Sequence, residues 1–216
     1  MREPAISLFY HQYLVSRDRA TYRRQVAAVY SVATLERLTL SSQRLTRRAA
    51  VLAIGLCGQY GSSKVLARRL YDADRGARTL AEDGMRMLWC RFGSAGDRRQ
   101  LADLIGLTGS RQWVEATAAA TRLVAIQPAF AEAWNQRAIA YFHAGKFVKS
   151  IADCRKTLAL NPFHFGAATG LGQCYLQLGN HAAALQSFRH ALDLNPNLEG
   201  VRNNVVYLQR ELKRQE

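Results

Sequence analysis

Three of the four prolines in this chain, Pro128, Pro162 and Pro196, recur at a constant spacing of 34. That length is one helix–turn–helix unit, and a chain that repeats at it must stack such units into a solenoid. The residues between the prolines repeat too. A shift of 34 lays Ala133 on Ala167, Tyr141 on Tyr175, Gly145 on Gly179 and Arg155 on Arg189. It also lays Leu158, Leu160, Asn161 and Pro162 on Leu192, Leu194, Asn195 and Pro196. Gly145 and Gly179 suit the left-handed turn that ends a first helix. Pro162 and Pro196 stop a second helix, because the residue before a proline avoids the α region.

These residues resemble the tetratricopeptide repeat family, whose pattern runs W-x2-L-G-x2-Y, then A-x3-F, then P. One unit supplies Trp134, Arg137, Ala138, Tyr141, Ser150, Cys154 and Pro162; the next supplies Ala168, Leu171, Gly172, Tyr175, Ala184, Phe188 and Pro196. The first of the two departs at Arg137, where Leu is usual, and at Cys154, where an aromatic is usual. An earlier unit ends at Pro128. Its second helix carries Trp113, Ala116, Ala120, Leu123 and Ile126 on one face, but its first helix, near 97–108, is degenerate. After Pro196 a stripe of Val201, Val205, Leu208 and Leu212 reads as a capping helix, which a solenoid needs at its end.

Residues 30–95 repeat more weakly, at a shift of 31 that lays Leu35 on Leu66, Arg44 on Arg75, Arg47 on Arg78 and Ala50 on Ala81. With Asp72 and Asp74 in the intervening turn, this resembles the short HEAT-like repeat seen in phycobilin lyases. The resemblance implies that Arg47 and Arg78 hydrogen-bond inside their turns. In the earlier unit Ser41 and Gln43 replace the two aspartates. Residues 1–29, with Phe9, Tyr10, Tyr13, Tyr22 and Val26, and then Tyr30, read as a helical cap on the first repeat. The expected fold is all-α: a right-handed solenoid with a cap and HEAT-like repeats over 1–95, then about three tetratricopeptide units and a capping helix over 96–216.

Enzyme signatures are missing: no G-x-S-x-G, no G-x4-G-K-[ST], and no carboxylate pair at a distinctive spacing. Glu82 and Asp83 read with Arg78 and Arg86 as an i,i+4 ion-pair face. Cys57, Cys90, Cys154 and Cys174 form no C-x2-C pair and the five histidines no metal-like spacing, so neither metal nor cofactor is expected. The longest apolar run, Ala49–Cys57, is too short to span a bilayer, and no secretory leader is evident; a cytoplasmic location is expected.

The chain carries a net charge of +14. The excess lies in residues 1–96, with 16 Lys/Arg against 7 Asp/Glu. Arginine favours planar anionic partners, so Arg47, Arg48, Arg68 and Arg69 are candidates for binding nucleic acid or another polyanion. The other candidate surface follows from the tetratricopeptide resemblance, which implies a peptide groove lined by set positions of each first helix. Those positions carry Glu132, Asn135, Ile139, Phe142 and His143, then Thr169, Gln173, Leu176 and Gln177. The capping helix adds Asn203, Tyr207 and Arg210. A variant of the family that grips a C-terminal carboxylate needs Lys, Asn and Arg where this chain has Leu101 or Asn135, Ile105 or Ile139, and Gln136 or Gly170. The expected function is a non-enzymatic adaptor that binds an extended protein segment.

Overall fold

The computed structural model describes residues 4–215, and they contain helices and turns with no strand. The chain divides into two compact units, one ending at Arg91 and the other beginning at Phe92. The division falls slightly before the expected boundary, ahead of the helix that opens the second unit.

In the first unit, α1 (Ala5–Ser16) and α2 (Arg19–Val29) precede two helix pairs. The pairs are α3 (Val32–Leu38) with α4 (Arg44–Cys57), and α5 (Ser63–Arg69) with α6 (Arg75–Trp89). Both helices of the second pair start at the same shift of 31 from their counterparts, so the weak sequence period is a period of structure. Side chains set the starts: Asp18 accepts from Ala20 and Thr21, Ser31 from Thr34, and Asp74 from Ala77. Arg47 Nη1 donates to the Ser41 carbonyl at 2.8 Å, and Arg78 Nη1 to the Asp72 carbonyl at 2.9 Å. The same bond thus closes both turns.

Helix α4 is the unit's axis. Every residue from Ala49 to Leu56 is buried, and α1, α2, α3 and α6 all pack on it. At Gly55 a Cβ would lie 2.9 Å from Gly84 Cα, so α4 and α6 touch backbone to backbone. Tyr10, Tyr13 and Tyr22 form an aromatic cluster between α1 and α2, and the Tyr22 hydroxyl donates to the Ala49 carbonyl at 2.8 Å. Without that partner its burial would be costly.

The second unit runs α7 (Ala95–Gly109), α8 (Trp113–Ile126), α9 (Ala131–His143), α10 (Phe147–Leu160), α11 (Phe165–Gln177), α12 (His181–Leu194) and α13 (Glu199–Gln215). Each helix packs on the next, and α7 also meets α9 and α9 meets α11. This is the two-layer stacking of a helical solenoid. From α8 onward every helix start recurs at the shift of 34 seen in the sequence. Ser94 and Asp97 form a reciprocal capping box that opens α7. Gly145 and Gly179 both sit at φ +71 after α9 and α11. Asn161 and Asn195 cap α10 and α12, and each side chain accepts the backbone N–H two positions on.

The two repeats fill the same space with different residues. In the later one, Phe188 fills it and Gly172 makes room: a Cβ there would overlap the Phe188 ring. In the earlier one, Ala138 and Cys154 share a core cluster with Cys174. The larger side chain faces the smaller neighbour in each repeat, as close packing favours. In α8, Ile126 is exposed, contrary to expectation, and Val124 takes the buried place. Val201 and Leu208 of α13 are buried against α12, with Val205 beside them.

Candidate functional site

The first helices α9, α11 and α13 begin at Ala131, Phe165 and Glu199, in step with the repeat. Side chains at equal steps therefore recur at equal helical phase. Ile139, Gln173 and Tyr207 are such a set: Ile139 is half-buried, Gln173 is exposed, and Tyr207 is 52% exposed. Gln177, Asn203 and Arg210 are exposed too. Asn203, Tyr207 and Arg210 line a shallow depression on α13 with Val206, Glu211 and Arg214. Thr169 is half-buried, and its hydroxyl donates to the Phe165 carbonyl at 2.9 Å.

Other expected groove residues are engaged in packing. Phe142 is half-buried and meets the Phe147 ring at 5.5 Å, edge to face, against the core of its repeat. Leu176 packs against the core cluster of the next repeat. His143 is exposed, with its ring stacked on Trp113 at 4.2 Å.

Glu132 and Asn135 are buried rather than offered at a groove. The Glu132 carboxylate accepts from Asn135 at 3.1 Å, from Gln136 at 2.7 Å and from His164 Nε2 at 2.9 Å. His164 Nδ1 in turn accepts the Ala167 amide as it caps α11, so Nε2 carries the proton. Gln136 accepts from the Thr108 hydroxyl at 2.9 Å. Burial opposes charge on Glu132, yet the bonds from His164, Gln136 and Asn135 outweigh it and hold the carboxyl below its ordinary range. The position reads as groove by family analogy; its partner from the following repeat is His164, which stands where the other repeats have Phe130 and Leu198.

The arginine cluster is also used internally. Arg47 pairs with Asp72 at 2.8 Å, and Arg48 Nη2 bonds Asp74 at 2.6 Å. Arg69 reaches Asp72 at 3.3 Å and the Thr39 carbonyl at 3.2 Å. Arg68 alone of the four expected anion ligands is exposed and makes no ion pair among the described residues. The Arg48 hydrogen bond, aided by the Ala77 amide and opposed by partial burial, brings the Asp74 carboxyl down to about 2. Both fork-like pairs bridge one helix pair to the next, so Arg47 and Arg48 serve the packing of the unit, and the excess charge lies on other residues.

Arg137, the departure from the repeat pattern, is answered in place. It bonds Asp153 through two nitrogens, at 2.7 and 2.9 Å, and its guanidinium lies 4.7 Å from the Trp134 ring. The following repeat puts Leu171 and Ser187 at these two positions. There the hydroxyl of Ser187 is satisfied by the Ala183 carbonyl at 2.8 Å, so no charge needs a partner at these positions. Burial pushes the Cys154 thiol up to about 12 and raises Cys57 and Cys174, so these three are protonated at neutral pH and poor nucleophiles.

Residues 130–197 match the family model described as tetratricopeptide repeat. A TPR repeat-containing protein of Rhizobium etli is 36% identical over 73 residues, which is 34% of this chain and 36% of that protein. Human Superkiller complex protein 3 is 38% identical over 64 residues, 30% of this chain but only 4% of that protein. The matched segment is thus a small part of these relatives. Among solved structures, the first TPR of Spaghetti (RPAP3) bound to the HSP90 peptide SRMEEVD superposes with a TM-score of 0.54 at 22% identity, over 56% of this chain and 96% of that one. The Arabidopsis OM64 TPR domain gives 0.52 at 22% identity, over 53% and 95%. At these identities the likeness is one of fold.

Proposed function

We propose that the second unit is a non-enzymatic protein-interaction module that takes an extended peptide segment along α9, α11 and α13. One observation carries the reading. Gln173, Gln177, Asn203 and Tyr207 are exposed on the first-helix layer, on α11 and α13. Their side chains make no hydrogen bond among the described residues, so three amides and a hydroxyl are open to a peptide backbone. Ile139 and Tyr207 add apolar surface beside them. The RPAP3 complex holds an HSP90 peptide, SRMEEVD, whose end is rich in acidic residues. The clamp positions here carry no Lys or Arg, and Asn135 is bound to Glu132, so an uncharged segment fits better than an acidic C-terminus. Four free thiols, two of them buried, suit a reducing compartment, which supports reading the module as a cytoplasmic one. No helix among the described residues is long and apolar enough to cross a membrane.

The test is a peptide selected from a random library against the whole chain. Backbone amide shifts should move on α9, α11 and α13 when it binds, and Gln173→Ala with Tyr207→Ala should weaken it about tenfold. Shifts confined to α8, α10 and α12 would reject the groove. Phe142 is left intact because its ring is part of the core.

A further inference from the structure

Helices α9 and α10 face each other through a row of alternating cations and rings. Trp134, Arg137 and Tyr141 lie at i, i+3 and i+7 on α9 and so share a face. Lys149, Asp153 and Lys156 do the same on α10, at i, i+4 and i+7. The helices run antiparallel, so Tyr141 meets Lys149, Arg137 meets Asp153 and Trp134 meets Lys156. Lys149 Nζ lies 5.8 Å from the Tyr141 ring and Lys156 Nζ lies 6.0 Å from the Trp134 ring. Arg137 sits between the rings, 4.7 Å from Trp134 and 5.7 Å from Tyr141. The one carboxylate in the row, Asp153, is taken by Arg137.

Both lysines are exposed and make no ion pair among the described residues. Resting on ring faces, they are held in place without being neutralised. Exposed Arg155 stands beside Lys156 and bonds the Tyr175 hydroxyl at 2.6 Å. The repeat fold does not require this row. The next repeat packs the same interface with Ala168, Leu171, Tyr175, Ala183, Ser187 and His190.

We propose that this face is a second docking surface, separate from the groove, and that its partner is an acidic peptide segment. Lys149 and Lys156 are two turns apart on one helix, about 10 Å along its axis. Carboxylates at i and i+3 of a peptide in the polyproline II conformation share a face about 9 Å apart and match that span. The rings are covered by the chain's own cations, which leaves no open platform for stacking nucleic-acid bases. Charge complementarity with carboxylates is what remains.

The experiment measures binding of a fluorescent deca-glutamate peptide to the whole chain by anisotropy, beside oligo(dT) and a deca-glutamine control. Lys149→Gln with Lys156→Gln should weaken the glutamate peptide about tenfold. Arg99→Gln with Arg122→Gln removes the same charge from exposed sites elsewhere and should change it less than twofold. Equal losses in the two double variants would overturn the proposal, since net charge alone would then account for binding. Tighter binding of oligo(dT), lost with the lysines, would overturn it in favour of nucleic acid. Circular dichroism of each variant shows whether the fold is kept. If the lysine pair unfolds the chain, Lys149→Arg with Lys156→Arg must retain the affinity for the proposal to stand.

Discussion

At the scale of single residues, the molecule balances each oddity against a neighbour. Replacing Arg137 by Leu strands Asp153, whose side chain is only 6% exposed; unfolding in urea should show a loss of about 3 kcal/mol. Arg137→Leu with Asp153→Ser copies the next repeat and should return most of that loss. Gly172→Ala drives a methyl into Phe188 and should cost about 1–3 kcal/mol. Adding Phe188→Leu should then cost less than the two single changes summed. Arg137 is visibly unusual in the sequence, but its partner is not, because Asp153 departs from no rule by itself. The signal that would have found it is the joint change to Leu171 and Ser187 one period later. Glu132 shows the opposite failure. Family position puts it in the groove, yet it is buried, bonded by Asn135 and Gln136 of its own helix and by His164 of the following repeat.

At the scale of elements, the first unit depends on pairs that stitch one helix pair to the next. Asp74 titrates near 2 rather than near 3.8, with Arg48 as the main cause. Asp72 is likewise lowered: burial opposes its charge, but Arg47 and the Asp74 amide prevail. A carboxyl with a depressed folded value stabilises the fold above its unfolded value and loses that contribution as pH falls towards the folded one. Thermal stability should therefore fall between about pH 4 and pH 2, and Asp74→Asn should flatten that part of the profile. In the second unit, Leu208 fixes α13 on α12 with no exposure at all. Leu208→Ala should cost about 2–5 kcal/mol and raise dye binding to the uncovered apolar face. The order and phase of these helices are legible in the sequence, because prolines, glycines and asparagines mark each stop. The use of the arginines is not, because helix phase does not show whether a guanidinium meets water or an aspartate on the next helix.

At the scale of the whole molecule, a net charge of +14 must be borne largely at the surface. Self-repulsion of that size is screened by salt, while the tight pairs of Arg47, Arg48 and Arg137 are shielded from it. The melting temperature should rise by a few degrees between low salt and about 0.3 M sodium chloride, as calorimetry would show; a steady fall would mean that surface ion pairs dominate. Two of the buried pairs differ in reach. Arg137 and Asp153 lie within one repeat and would travel together if that repeat were moved. Glu132 and His164 lie in successive repeats, and neither has its like elsewhere in the series. Exchange those two repeats, or splice a copy between them, and a buried carboxylate keeps only the amides of Asn135 and Gln136 and loses the imidazole that meets its other oxygen. The pair therefore acts as a serial number: it permits one sequence of modules and forbids the shuffled ones, in a chain whose spacing alone would accept any order.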